Sequence, residues 1–409
     1  MRTILFLICT FLSIQFCFGQ STETFYKKGD SLYKAKDFKN AAINYGAGIK
    51  SQDKDADISK YWRAAGAWAL ANAADSAFQL LSFIEKSDKV SQPDVKSIET
   101  DKDLNFLHAD KRWKPFIDKF NAKAISNYHV EELIYGRKDG VALTLLHLTP
   151  NKNARGKALV YVIASNWISS YQAAERMIRP SYTSLERGYS VFLVVVGSQP
   201  RYAMPDEIED VKRAVRYIRY NAKQLKIDPD HLGIQGGSAG GHLSLAVAMA
   251  DDKIDSTAQD HVNRMSSRVQ AAAVLYPPTD CLNWGKAGAN MINMRDLQLF
   301  SGVYGAFDFR IWNNTNKTYD HITDTSARNK IGKEISPIYF ITPDDPPVFI
   351  IHGDADIVVP LQQSTSFIAK LKEAGVPNNF IIKKGAGHNP NDMIPEVNQF
   401  LDWFDKYLK

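Results

Sequence analysis

Cysteine is scarce in this chain. There are three, and Cys9 and Cys17 both fall within the first nineteen residues. With those removed as a leader, only Cys281 is left and no internal disulfide can form. The chain also lacks the paired Cys and His spacing that holds a metal, and it has no glycine fingerprint for a dinucleotide, so neither metal nor cofactor is expected. Charge of one sign is missing too. Fifty Lys and Arg stand against 45 Asp and Glu, interspersed, and loss of Arg2 lowers the formal net charge from +5 to +4. That excludes the basic footprint of a nucleic-acid binder and the polybasic patch of a membrane-surface protein. Beyond the first residues no apolar run approaches membrane-spanning length.

What is present begins with that apolar start. Arg2 precedes the run Ile4 to Phe18, which is broken only by Thr10, Ser13 and Gln15, and Cys17 and Gly19 supply small residues for cleavage near Gly19. Residues 1–19 therefore read as a secretory signal peptide, too short for a comfortable span. Bulky Phe16 disfavours a lipoprotein reading through Cys17. The expectation is export to the periplasm or the extracellular space. Without disulfides the mature protein must rest on its core, and 409 residues at 44% hydrophobic content suffice for a large one.

Two domains are expected. Residues 20–125 are helical in pattern, and two segments in them look alike. One contains Asp37 to Tyr45 and the other Ala74 to Leu81; setting Ala41 against Ala77 gives an offset close to the spacing of tetratricopeptide helix pairs. A third, degenerate unit is read at Asp101 to Phe120. The competing reading is a plain helical bundle. Residues 126–409 differ. Val130 to Tyr135, a turn at Arg137 to Gly140, and Val141 to Leu148 read as a hairpin at a sheet edge. Lys157 to Ala164 and Ser190 to Val196 are near-continuous apolar runs, as strands covered on both faces require. Strands and helices then alternate to the end, predicting an α/β fold with a mostly parallel, doubly wound sheet. Residues 280–347 interrupt that alternation and read as a cap or lid insertion.

Within this frame, Gly236-Gly237-Ser238-Ala239-Gly240 matches the G-x-S-x-G elbow, in which a strand turns so sharply into a helix that the serine stands exposed. A glycine-rich phosphate-cradling turn is the competing reading, but the strand Leu232 to Gln235 and the helix-forming Leu243 to Ala250 supply the context an elbow needs. A serine hydroxyl needs a base, and the base an orienting carboxylate. His352-Gly353-Asp354-Ala355-Asp356 and Gly385-Ala386-Gly387-His388 both follow strands, where an open α/β sheet has its ligand crevice. Ser238, Asp356 and His388 are the candidate triad. Asp354 competes as the acid, while His352 and His242 read as packing or hydrogen-bonding residues behind the site.

On the stretches GGSAGGH, HGDADIVVP and GAGH, the chain from about Val130 to Leu408 resembles the α/β-hydrolase superfamily in its prolyl-oligopeptidase-like and carbohydrate-esterase-like branch. The resemblance implies Asp356 as the orienting acid. It also implies an oxyanion hole built from the Ala239 N–H and from the loop after the strand at Lys157, where such proteins carry HGGGW or SGGW. This chain has Ala164-Ser165-Asn166-Trp167 there, so Asn166 and Trp167 are the candidate donors on that side. The expected activity is that of a serine hydrolase acting on small or carbohydrate-linked acyl esters. A prolyl-oligopeptidase-like exopeptidase and a non-catalytic binding protein using the helical repeats are the alternatives, and the helical domain is the expected place for a protein partner. The aromatic residues Trp284, Phe300, Tyr304, Phe307, Phe309 and Trp312 read either as a substrate-facing wall or as the insert's own core.

Overall fold

The computed structural model describes residues 22–51, 57–87, 98–252 and 254–409; the expected leader at 1–19 lies outside them. The chain divides into two compact units, Met1–Asn127 and Tyr128–Lys409. The boundary falls two residues later than the sequence suggests, because a helix continues to Asn127 before the first strand opens at Tyr128.

In the first unit α1 (Thr22–Lys34), α2 (Phe38–Ser51), α3 (Ile58–Leu70) and α4 (Ala74–Lys86) pack each on the next. Small residues make this close packing workable: Ala41, Ala42, Ala64 and Ala67 are wholly buried, with Tyr26 and Tyr45 filling the space between them. The aligned pair Ala41 and Ala77 falls in α2 and α4, the second helices of successive hairpins. In the degenerate unit expected at Asp101 to Phe120, the first element is a 3-10 turn, Lys102–Leu107, capped by the Asp101 side chain, and α5 (Trp113–Asn127) follows. Leu104, Leu107 and Phe116 of that unit are buried, and Trp113 is half-buried.

The second unit is an α/β-hydrolase fold. It contains β1 (Tyr128–Lys138), β2 (Val141–Pro150), β3 (Ala158–Ile163), β4 (Ser190–Val195), β5 (Leu232–Gly237), β6 (Ala271–Leu275), β9 (Val348–Gly353) and β10 (Asn378–Lys383) in one sheet. Their spatial order is β1-β2-β4-β3-β5-β6-β9-β10. The hairpin β1–β2 is antiparallel and β2 joins β4 antiparallel, while β4 to β10 run parallel. From β3 the chain goes first to β4 on one side and then to β5 on the other. That reversal opens a crevice above the carboxyl ends of β3 and β5.

Alternation along the strands separates the two faces. Val160, Val162, Ile234 and Val274 point into a core shared with α7 (Met204–Tyr220), α8 (Ala239–Ala248) and α11 (Gln362–Glu373). Leu159, Ala273, Phe349 and Ile351 point the other way, onto Phe400, Trp403 and Phe404 of α12 (Gln399–Tyr407). A separate one-turn helix, Ile394–Val397, precedes α12. Leu146, Val191 and Leu193 meet α6 (Tyr171–Ile178) on that same side.

The insertion at 280–347 holds short elements: α9 (Arg295–Phe300), the hairpin β7 (Arg310–Asn313) and β8 (Thr318–His321), and α10 (Thr325–Glu334). Its aromatic residues do not form one wall. Phe307 and Phe309 are buried in the main core, Trp312 stacks edge-on against Tyr319 on the exposed hairpin, and Phe300 is 92% exposed.

Candidate active site

Ser238 follows β5 directly, with φ 54° and ψ −123°, an unfavourable backbone for a residue with a side chain. The neighbouring glycines make this turn sterically possible. A Cβ at Gly236 would lie 2.4 Å from the Gly240 carbonyl oxygen, and one at Gly240 would lie 2.4 Å from that of Val162. The turn is then fixed by hydrogen bonds from the Ser238 N–H to Leu275 O and from the Gly240 N–H to Ala164 O, at 3.0 and 3.2 Å. It is thereby stitched to both flanking strand ends.

Onto this serine the loops after β9 and β10 bring the other two candidates. The Ser238 hydroxyl donates to His388 Nε2 at 2.9 Å, and His388 Nδ1–H donates to Asp356 Oδ2 at 2.7 Å. Asp356 Oδ1 accepts the Val358 and Val359 N–H groups, both at 2.9 Å. Burial acts to raise the Asp356 carboxyl, but hydrogen bonds from His352, His388 and the Val359 N–H outweigh it and hold the group well below the usual carboxylate range. An ionised acid behind the ring fixes the His388 tautomer with its Nε2 lone pair toward Ser238. The competing acid is elsewhere: Asp354 is exposed and accepts the Gly385 N–H at 2.6 Å, bracing the loop that carries His388.

His352 and His242 lie behind the site. His352 is fully buried between Ser364 Oγ at 2.7 Å and Val359 O at 2.9 Å. His242 accepts the Trp167 indole N–H at Nδ1, 3.1 Å away, and donates from Nε2 to Ile335 O at 2.7 Å. Burial pushes its pKa down to about 4, so the ring stays neutral near neutral pH.

The loop after β3 carries the other donors. Asn166 and Trp167 both have left-handed backbones, φ 52° and 56°, and Ser165 and Ile168 close the turn by exchanging hydrogen bonds. Asn166 is exposed to solvent, and its backbone N–H stands next to that of Trp167. The Ala239 N–H opens α8 and, like the N–H groups of Asn166 and Trp167, has no protein partner among the described residues. Free backbone donors beside a serine–imidazole–carboxylate chain are what stabilising a tetrahedral oxyanion requires.

Two neighbours of the site escape sequence reasoning. The Tyr276 ring centroid lies 4.2 Å from that of His388, and Gln199 bonds to the loop at 166–167. Each stands just past the end of a parallel strand, β6 and β4, and that position is the signal that could have drawn attention to them. In the first unit a groove of about 620 Å³ is lined by Asp30, Tyr33, Trp62, Arg63, Asp101 and Asp103, among others. Its carboxylates already accept bonds from its own aromatic residues, Asp30 from Tyr45 at 2.8 Å and Asp101 from Trp62 at 2.6 Å.

With this geometry in view, the profile of the BD-FAE family matches residues 146–371, more than half of the chain. The chain belongs to the BD-FAE family. Among solved structures, this BD-FAE chain is similar to a truncated form of a carbohydrate esterase from gut microbiota, 26% identical with a TM-score of 0.54, over 69% of this chain and 98% of that one. It is also similar to esterase LipQ of Mycobacterium tuberculosis, 27% identical over 59% of this chain and 52% of that protein. A third relative is the probable carboxylic ester hydrolase LipM of the same organism, 31% identical over 46% of this chain and 38% of that protein. The BD-FAE chain thus spans about half the length of the curated relatives it matches. The matched family region contains Ser238 and Asp356, whereas His388 lies beyond it and is tied to the other two by the hydrogen bonds above.

Proposed function

We propose that this chain is a serine esterase that cleaves small or carbohydrate-linked acyl esters through an acyl-enzyme, and that it acts outside the cytoplasm. The observation that carries the reaction is the continuous path from Ser238 Oγ through His388 to Asp356, at 2.9 and 2.7 Å. Ser238 Oγ attacks the ester carbonyl while its proton passes to His388 Nε2. The carbonyl oxygen, now negative, is met by the N–H of Ala239 and by the loop at Asn166 and Trp167. Collapse expels the alcohol, which takes the proton from His388 and leaves the acyl group on Ser238. Water then attacks the acyl carbon while giving a proton to His388, and collapse returns that proton to Ser238 Oγ as the carboxylic acid leaves. Asp356 keeps the ring oriented and stabilises its charged form throughout.

Membership of the BD-FAE family and likeness to a carbohydrate esterase support the sugar-linked substrate class. Export rests on the leader-like first residues. The test compares kcat/KM on acetylated sugars, feruloylated sugars, simple aryl esters and Xaa-Pro amides. The acylated sugars should lead, and faster cleavage of the amides would replace the esterase reading with the peptidase one. Ser238→Ala should abolish turnover of every ester while leaving the melting curve in place.

A further inference from the structure

Two successive residues with side chains, Asn166 and Trp167, adopt the left-handed backbone that L-residues avoid. Something must hold them there, and one residue contacts the carbonyls of both. Gln199 Nε2 donates to Asn166 O at 2.6 Å, and the Gln199 N–H donates to Trp167 O at 3.1 Å. Nε2 also donates to Gly302 O of the insertion at 2.9 Å, so both amide hydrogens are engaged. Gln199 is itself buried, 9% exposed, which leaves these bonds little competition from water.

The consequence follows from peptide geometry. The Asn166 carbonyl and the Trp167 N–H belong to one trans, planar peptide and point in opposite directions. Drawing the carbonyl onto Gln199 turns the Trp167 N–H to the opposite side. Of the other donors of the turn, those on Ser165 and Ile168 are consumed in their mutual bonds, which leaves the Asn166 and Trp167 N–H groups free. The segment following the turn is anchored to the same stretch: Ser198 Oγ accepts the Ser169 N–H at 2.7 Å and donates to Ser169 O at 2.7 Å.

We propose that Gln199 is a positioning residue for the oxyanion site: its amide holds the Asn166 peptide so that the Trp167 N–H is presented as a donor, and its bond to Gly302 makes the insertion part of that support. The inference rests on the esterase reading above. It assigns the aiming of this loop, which has no glycine between Ala164 and Ile168, to a hydrogen bond from a distant strand end.

The experiment uses the full chain with Gln199→Ala and Gln199→Met, the second keeping the side-chain length and removing only the donor. Both leave the backbone bond to Trp167 O intact. Each variant is measured for kcat and KM on an aryl acetate, for affinity toward an aryl boronic acid that forms a tetrahedral adduct on the serine, and for its melting temperature. Losing an oxyanion donor outright costs roughly 10²–10³ in kcat, so misaiming one should cost about ten- to a hundredfold, with KM changed little. Boronate affinity should fall by a similar factor, since it reports the same tetrahedral geometry. Folded variants with wild-type kcat and boronate affinity would overturn the proposal, as would a loss confined to melting temperature. If Gln199→Ala does not fold, Gln199→Met decides. A folded wild type inert toward every ester would overturn the esterase reading and this role with it. An active wild type with unaffected variants removes only Gln199.

Discussion

At the scale of single residues, Asp354 and Asp356, two positions apart in the sequence, are distinguished by their partners. Asp356 faces His388 and Asp354 faces a backbone N–H. Asp356→Asn should lower kcat by about 10⁴, the cost of stranding a catalytic imidazole in the wrong tautomer. Asp354→Asn keeps an acceptor oxygen for Gly385 and should leave kcat largely intact. Steady-state kinetics on both variants settles the assignment, and the reverse ranking would sink it. His242 provides a pH signature. Its pKa is depressed from an ordinary 6.5 to about 4, so the unfolded chain binds more protons between those values. The corresponding stability is present above pH 6.5 and lost as pH falls through 4, on the order of 3 kcal/mol in all. His242→Gln can accept from Trp167 and donate to Ile335 without titrating, so denaturant curves should show a shallower acid decline for the variant. Glu207 runs the other way. It is fully buried, and burial with nearby Asp210 and Asp206 outweighs Lys138 and the Gln199 backbone N–H and pushes its carboxyl well up. Its folded state binds the extra proton, so stability falls as pH rises above the ordinary carboxyl range. Glu207→Gln should therefore gain on the wild type as pH is raised, and a melting difference that does not depend on pH would refute that.

At the scale of elements, the insertion divides its aromatic residues between two roles. Phe307 is completely buried and meets Trp167 edge-on with ring centroids 5.7 Å apart, whereas Phe300 stands 92% exposed at the end of α9. Phe307→Ala should cost about 3–5 kcal/mol in urea unfolding, and Phe300→Ala nearly nothing. A large loss at Phe300 would mean that α9 is packed differently. These elements also mark where sequence reasoning stops. Apolar runs such as Leu159 to Val162 and Val191 to Val194 announce strands covered on both faces, and the elbow glycines announce their turn, because both are local patterns. Gln199 and Tyr276 announce nothing. Their roles come from contacts across 33 and 112 residues of chain, Gln199 to Asn166 and Tyr276 to His388, and no local period encodes such contacts. The same holds for the insertion: its aromatic residues have no period, so which of them face the core depends on what Trp167 and the sheet leave room for.

At the scale of the whole molecule, each unit has a core of its own, and every residue of the proposed site lies in Tyr128–Lys409. That segment expressed alone should fold and keep the turnover of the whole chain on small aryl esters. Loss of activity in a folded fragment would show that the helical unit contributes to the reaction. The proposed site is spread over long distances in sequence, with 150 residues separating the proposed nucleophile Ser238 from its proposed base His388. A ribosome adding roughly 5–20 residues per second takes about eight to thirty seconds to cross that interval. Through all of it the nascent chain carries Ser238 without His388, and a serine without its base is an ordinary alcohol. On the proposed mechanism the protein is therefore born inert toward esters, and becomes reactive only once His388, just past the last strand of its sheet, has been added.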